Sequence, residues 1–283
     1  MKSFLTAAAV AATLVSGSAV AADLPNKKGP IAPVVVSPWD FAIGAAVRSD
    51  YNFRGISQSD RGPGVTAYGE IRYNVADWLQ AYAGISGSSV KLPTRPSAEI
   101  DLYAGVRPTF GNLAFDFGVM NYTYPREQNN LPLAVLQTNT DFVEFYGKAA
   151  YTFNDTVTLG ANVFYAPNFL GTGAQGTYAS LTGKVVLPYN FAASGELGHY
   201  WIGKNNASLG AINLPDYTYW NAGLSYSYKF ATLDLRYHDT NLNKAKCYTV
   251  SGDPRGAATG LSKWCGQAFI ATLSFDLTSK DIK

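Results

Sequence analysis

The chain has 283 residues, with 22 basic and 20 acidic side chains, and 47% of it is hydrophobic. So even a charge balance offers nothing to attract nucleic acid or an anionic surface. No apolar run is long enough to cross a bilayer as a helix, and mean hydropathy is near zero, as expected when one face of each strand meets lipid and the other meets water.

The first element is an export signal. Lys2 supplies the positive start, Phe4 to Val15 the apolar stretch, and Ala19-Val20-Ala21 a small-x-small cleavage site, so residues 1–21 form a signal peptide and the mature chain starts at Ala22. Residues 22–39 are Pro-rich with two lysines. Proline is excluded from central strands, so this segment reads as a periplasmic tether or linker.

From Asp40 onward apolar and polar residues alternate with period two, the signature of strands whose faces differ. Twelve strands are expected near 40–54, 64–76, 78–90, 99–108, 113–124, 141–153, 156–166, 177–187, 190–201, 217–229, 231–239 and 267–277. Soluble sheets use strands of about 5–6 residues, whereas about 10 fit a tilted bilayer crossing. The connections alternate between tight turns (76–78, 108–112, 153–156, 188–190, 230–231) and long loops (55–63, 91–98, 125–140, 167–176, 202–216, 240–266). This is the pattern of short periplasmic turns and long extracellular loops. The expected fold is all-β: a transmembrane up-and-down antiparallel β-barrel of about 12 strands over 40–283, in the outer membrane of a Gram-negative bacterium.

One phase of each strand is apolar, as in Phe41, Ile43, Ala45, Val47 or Leu113, Phe115, Phe117, Val119. The other carries Arg48, Asp50, Arg54, Glu70, Arg72, Glu99, Asp101, Arg107, Asp116, Glu144, Lys148, Lys184, Glu196, Lys229, Asp234, Arg236, His238 and Asp276. A Lys or Arg facing mid-bilayer lipid costs roughly 2–4 kcal/mol, so the charged phase faces inward. Aromatics crowd the strand ends and read as two interfacial girdles. One lies by the tight turns (Trp39, Phe41, Tyr73, Trp78, Phe110, Tyr151, Phe153, Tyr189, Phe191, Tyr228, Phe230, Phe275) and one by the long loops (Tyr51, Phe53, Tyr122, Tyr124, Phe169, Trp201, Tyr217, Tyr219, Tyr237). Cys247 and Cys265 lie in one long polar segment; in an exported chain an isolated pair without CxxC spacing or a His cluster reads as a disulfide.

Several segments resemble the TorF family of porin-like proteobacterial outer-membrane proteins: SDYNFRGISQSDRGP (49–63), EIDLYAG (99–105), the Asp116–Gly118 step, YTYP (122–125), VEFYGKAAY (143–151) and YHDTNL (237–242), in the expected order. The resemblance implies a β-barrel and a channel role, and it carries over no substrate or catalytic residue. One departure is the run past Phe275-Asp276-Leu277 to Lys283, where such barrels commonly end on an aromatic residue.

Twelve strands tilted by about 40° enclose a backbone radius of roughly 12 Å, room for a narrow aqueous channel or a filled lumen. Inward charges nearly cancel, so ion-paired ladders are expected rather than strong anion or cation selectivity. Arg48, Arg54, Arg72, Arg107 and Arg236 read either as a basic wall facing Asp50, Glu70, Asp101, Glu144 and Asp234 across a pore, or as structural ion pairs. The segment 54–63, rich in turn-forming Gly and Pro, has a further reading as a loop folded into the barrel mouth. The alternatives are a lipid-acting barrel enzyme or a closed structural or adhesive barrel. An enzyme would need a Ser beside a His. The strands flanking His199 carry no serine on its phase, and His238 sits on the charged phase near Asp234 and Arg236. No catalytic residue, metal site or cofactor is expected. The partners expected are outer-membrane lipid and small hydrophilic solutes. An aromatic belt suits lipid and a neighbouring barrel alike, so the sequence sets no oligomeric state.

Overall fold

Alternation sustained over ten or more residues gives each strand one apolar and one ionic face, and a sheet of such strands keeps its charges away from lipid by closing with the ionic face inward. The computed structural model describes residues 38–128, 139–204, 214–279 and 281. The signal peptide and residues 22–37 of the Pro-rich segment lie outside the described residues, as do parts of the third and fifth long loops.

The wall consists of β1 (Trp39–Arg48), β4 (Gly64–Ala76), β5 (Leu79–Ser88), β6 (Glu99–Phe110), β7 (Leu113–Thr123), β8 (Phe142–Phe153), β9 (Val157–Ala166), β10 (Gly176–Val186), β11 (Phe191–Ile202), β12 (Tyr217–Tyr228), β13 (Ala231–Thr240) and β14 (Ala268–Thr278). Each strand pairs antiparallel with its neighbours in chain order. The cylinder closes where β1 meets β14, from Ala42 opposite Thr278 to Arg48 opposite Thr272. A two-stranded hairpin, β2 (Asn52–Phe53) with β3 (Ile56–Ser57), stands apart from the wall.

Two of the tight turns use left-handed backbone at both central residues, at Asn154 and Asp155 (φ 50° and 54°) and at Tyr189 and Asn190 (φ 61° and 65°). Such turns match the twist of antiparallel strands. The wall is inverted relative to a soluble protein. Leu181 is 66% and Leu197 56% exposed on the outside, while Asp101 and Glu144 are 0% exposed within. Only lipid makes that exterior favourable.

Inside, tyrosines of one strand lie over glycines directly opposite on the next: Tyr68 on Gly44, Tyr103 on Gly84, Tyr82 on Gly105 and Tyr146 on Gly118. A ring covering a glycine shields exposed backbone and pins the register of the pair.

Two expectations change. The first strand ends at Arg48 rather than at residue 54, because the chain there turns into the lumen. The girdle expected by the long loops is also largely internal. Tyr122, Tyr124, Phe169, Tyr217 and Tyr219 are buried in a cluster with Phe142, Phe164, Tyr178, Tyr200 and Trp264, and Tyr51 is buried too, while Trp201 does stand on the exterior. These rings share the phase of the charges, so they point inward, and at the long-loop end the lumen has a hydrophobic core.

The longest loop folds into a cap. Helix α1 (Lys244–Ser251) starts on Asn243, whose side chain accepts from the Lys246 amide, and ends on Gly252 in the left-handed conformation (φ 63°). Cys247 and Cys265 form the expected disulfide, with Cα atoms 5.7 Å apart and both residues buried.

Candidate functional site

The site is the lumen, and the first long loop divides it. Asn52 accepts from the Gly55 amide at 2.8 Å, a side-chain-closed turn that frees the chain to reverse. Arg54 (φ 47°) and Gly55 (φ 90°) occupy its tip. A side chain at Gly55 would strike Thr240 and the Tyr219 ring, so the close approach as well as the φ calls for glycine. The loop is locked from behind by Asp50, whose carboxylate accepts from Ser57 at 2.6 Å and Ser59 at 3.0 Å and pairs with Arg61 at 3.3 Å. Burial raises the Asp50 carboxyl above its ordinary value.

The hairpin thereby delivers Arg54 to Glu144 of β8. Two parallel hydrogen bonds, Nη1 to Oε1 at 2.7 Å and Nη2 to Oε2 at 2.9 Å, join them. The Tyr122 hydroxyl donates to the same carboxylate at 3.1 Å. Rings of Phe53, Phe164, Tyr178 and Tyr200 surround the guanidinium at 4.5 to 5.1 Å. This is a cation held by a fork and by ring faces at once.

The cap holds the hairpin down. The Ser57 amide donates to the Trp264 carbonyl at 2.9 Å, and the Trp264 indole donates to Asp60 at 2.8 Å. Arg61 donates to the carbonyls of Lys263 and Gly266. Behind the hairpin, Glu99 accepts from the Tyr51 hydroxyl at 2.5 Å and the Tyr124 hydroxyl at 2.9 Å. Burial first, and the Glu99 charge second, push both phenols well above their ordinary value. Asp101 accepts from Ser86 at 2.8 Å, and Arg48 lies 5.1 Å from the Tyr51 ring.

Toward the tight turns the lumen is ionic. Glu70 accepts from Arg72 at 2.5 Å and from both ends of the Arg107 fork at 2.8 and 3.0 Å. Asp116 accepts from Tyr82 at 2.5 Å and lies 3.6 Å from Arg107 and 3.9 Å from Lys148. Arg236 binds Asp234 of its own strand at 2.9 Å, Asn221 at 2.6 Å and Ser194 at 2.7 Å. Glu196 accepts from Tyr178 at 2.8 Å. Lys184 shares the inward phase with the buried Tyr178 and Ser180.

The arginines therefore do not stand as one wall against an acidic wall. Arg54, Arg72, Arg107 and Arg236 each bind a carboxylate at hydrogen-bond distance. His238 is inward, and its Nδ1 lies 2.8 Å from the Tyr219 hydroxyl rather than on the charges beside it in sequence. His199 is on the outer face, its Nδ1 2.9 Å from the Thr218 hydroxyl and its ring 4.6 Å from that of Trp201. Among the described residues no group of His, Cys, Asp or Glu is placed to hold a metal ion.

Sequence reasoning missed the aromatic collar around Arg54. Its signal was present: Phe164 shares the phase of Asn162 on β9, Tyr178 that of Lys184 on β10 and Tyr200 that of Glu196 on β11.

Among solved structures, the chain is similar to a membrane protein from work on in-meso crystallization, with 11% identity and a TM-score of 0.51 over 85% of this chain and 84% of that one. At that identity the likeness is one of fold. An outer membrane channel from Pseudomonas putida F1 matches at 13% identity and TM-score 0.47 over 88% of this chain and 100% of that one. A loop-deletion mutant of OmpT, an outer membrane protein of Vibrio cholerae, matches at 10% identity and TM-score 0.42 over 84% and 98%. No curated protein matches the sequence. A family model, described as a bacterial protein of unknown function, matches residues 33–271, and the chain belongs to that family, Gcw_chp.

Proposed function

We propose that the chain is an outer-membrane channel of the porin-like kind that its TorF-like segments imply, a channel rather than a catalyst. Small hydrophilic solutes or ions are its cargo, and the β2–β3 hairpin is its constriction. The tight turns face the periplasm and the capped loops face outward. One observation carries this reading. Inside a closed wall, the side chains of Arg107 and Lys148 each keep 20% of their surface accessible, and those of Arg72 and Arg236 keep 16%. A lumen filled for strength alone would leave no such space around its charges, whereas a water-filled vestibule would. Because positive and negative groups are paired, weak ion selectivity is expected.

The test is single-channel conductance in planar bilayers. The full chain is compared with a variant in which residues 52–57 are replaced by two glycines. Small or rare steps are expected from the first and larger, frequent steps from the second. Silence from both, with no solute-driven swelling of liposomes, would leave a closed structural barrel.

A further inference from the structure

Charge is balanced over the whole chain but not between the two ends of the barrel. Lys91, Arg95, Arg126, Lys244, Lys246 and Lys263 all stand on the long loops, and all are exposed. Among the described residues none of them lies within ion-pair distance of an acidic side chain. The acids of the same loops are turned into the fold. Glu127 accepts from the Thr94 hydroxyl at 2.6 Å and the Thr140 amide at 2.7 Å. Asp141 accepts from the Tyr124 amide at 2.7 Å, and Asp253 from the Ser262 hydroxyl at 2.9 Å. Asp60 is held by Trp264 and Arg255. These acids keep their charge, but the long loops carry more cations than acids, so a net positive field faces the solvent there. At the opposite end the described tight turns present Asp77, Asp155 and Lys229, with no cationic excess.

The cations ride on one connected surface. The Lys91 amide donates to the Gln58 carbonyl at 2.7 Å, Gln128 to Thr94 at 2.6 Å, Ser97 to Pro125 at 2.9 Å and Ser262 to Lys244 at 2.9 Å. Together with the Ser57–Trp264 bond these tie the first, second, third and sixth long loops into a platform, and the disulfide fixes its cap. The cap rests on a hairpin that lies inside the wall, so Lys244, Lys246 and Lys263 stand over the mouth and away from lipid. Spread over several loops rather than gathered in a pocket, the cations suit an extended chain of negative charges better than one small anion. A single-stranded nucleic acid gains much of its binding by stacking bases on aromatic rings, and no aromatic side chain of these loops is exposed among the described residues. Lysine is a point charge on a mobile stem, which suits carboxylates repeated along a flexible polymer.

We propose that the capped end of the barrel docks an acidic polysaccharide, with its carboxylates on Lys91, Lys244, Lys246 and Lys263. Docking does not need the lumen to conduct. Only its side of the membrane, outside the cell, rests on the orientation given under the channel reading.

The test is fluorescence anisotropy of a labelled oligogalacturonate titrated with the full chain in phosphatidylcholine nanodiscs, whose lipid adds no net charge. Saturable binding is expected, weakened by about tenfold or more as salt rises from about 50 to about 200 mM. Neutral dextran should not compete. The variant Lys91→Gln/Lys244→Gln/Lys246→Gln/Lys263→Gln changes only exposed, unpaired side chains, so the heat-dependent gel mobility of the barrel should be kept. Its affinity should fall by about tenfold or more. Lys229→Gln, at the other end, should bind as the unaltered chain does. Full affinity in the fourfold variant, an equal loss in Lys229→Gln, or competition by dextran would overturn the site. Tighter binding of a single-stranded oligonucleotide of equal charge would overturn the choice of a polysaccharide. Both ends of a barrel in a nanodisc meet solvent, so the result is separate from the direction of insertion and from the conductance experiment.

Discussion

Arg54 and Glu144, ninety residues apart in the chain, meet in a two-pronged ion pair at 2.7 and 2.9 Å, with side chains 1% and 0% exposed. The pair fastens a loop to the barrel wall from the inside. Removing one partner of a buried pair leaves the other charge unpaired and typically costs about 3–5 kcal/mol, while replacing both with apolar residues is far milder. Glu144→Ala is therefore expected to release the hairpin and expose Arg54 and Arg61 to trypsin with the barrel intact. The double variant Arg54→Met/Glu144→Met should resist trypsin better than either single change. Limited proteolysis followed by mass spectrometry reads both.

The Cys247–Cys265 bridge closes a segment with a sequence separation of 18, worth roughly 3 kcal/mol of chain entropy. It clamps the cap rather than the wall. Cys247→Ser/Cys265→Ser should leave the heat-dependent gel mobility of the barrel unchanged and raise amide exchange across 244–266 and at Ser57, whose amide is held by Trp264. Both cysteines are buried, so mild reductant without denaturant is expected to leave the bridge oxidised.

Tyr51 and Tyr124 set a pH limit on loop docking. Burial and Glu99 raise both phenols above the ordinary value of about 10. The folded state then binds these protons more tightly than the unfolded chain. Their stabilisation is complete below the ordinary phenol value and is lost as pH rises from there through the raised one. Alkaline titration at 295 nm should show a class of tyrosines that ionise only on denaturation, and Tyr51→Phe/Tyr124→Phe should reduce it by two.

Gly118 opposite Tyr146 tests the ring-over-glycine contacts. A methyl at Gly118 would meet both the Tyr146 ring and the Ala104 carbonyl. Gly118→Ala is expected to cost about 1–3 kcal/mol by overpacking and to pull the Tyr146 hydroxyl from its 2.5 Å contact with Tyr82. Urea unfolding followed by tryptophan fluorescence measures the first. A less apolar surface at the outer face, such as Gly183, has no such neighbour within contact except Leu159, and Gly183→Ala should be nearly neutral.

How much was legible follows from the range of the forces involved. Strand period depends on each residue and its neighbour two places on, so the twelve wall strands, their tight turns and the inward phase of Glu70, Arg107 and Glu144 could be read directly. The disulfide too needed only two cysteines and an export signal. The fate of residues 49–63 depended on something else. Whether that loop lies outside or turns inward is decided by Glu144, the rings of Phe164, Tyr178 and Tyr200, and the Trp264 carbonyl, none of which is near it in sequence.

By itself, then, the sequence determined the closed barrel and which face is ionic, because the alternation of apolar and charged side chains acts on each strand alone. Only the tertiary structure decided that the lumen is split into a charged half and an aromatic half with a hairpin between them. A buried cation is stable only where distant segments bring it a carboxylate and ring faces together, and that convergence exists only in the folded cylinder.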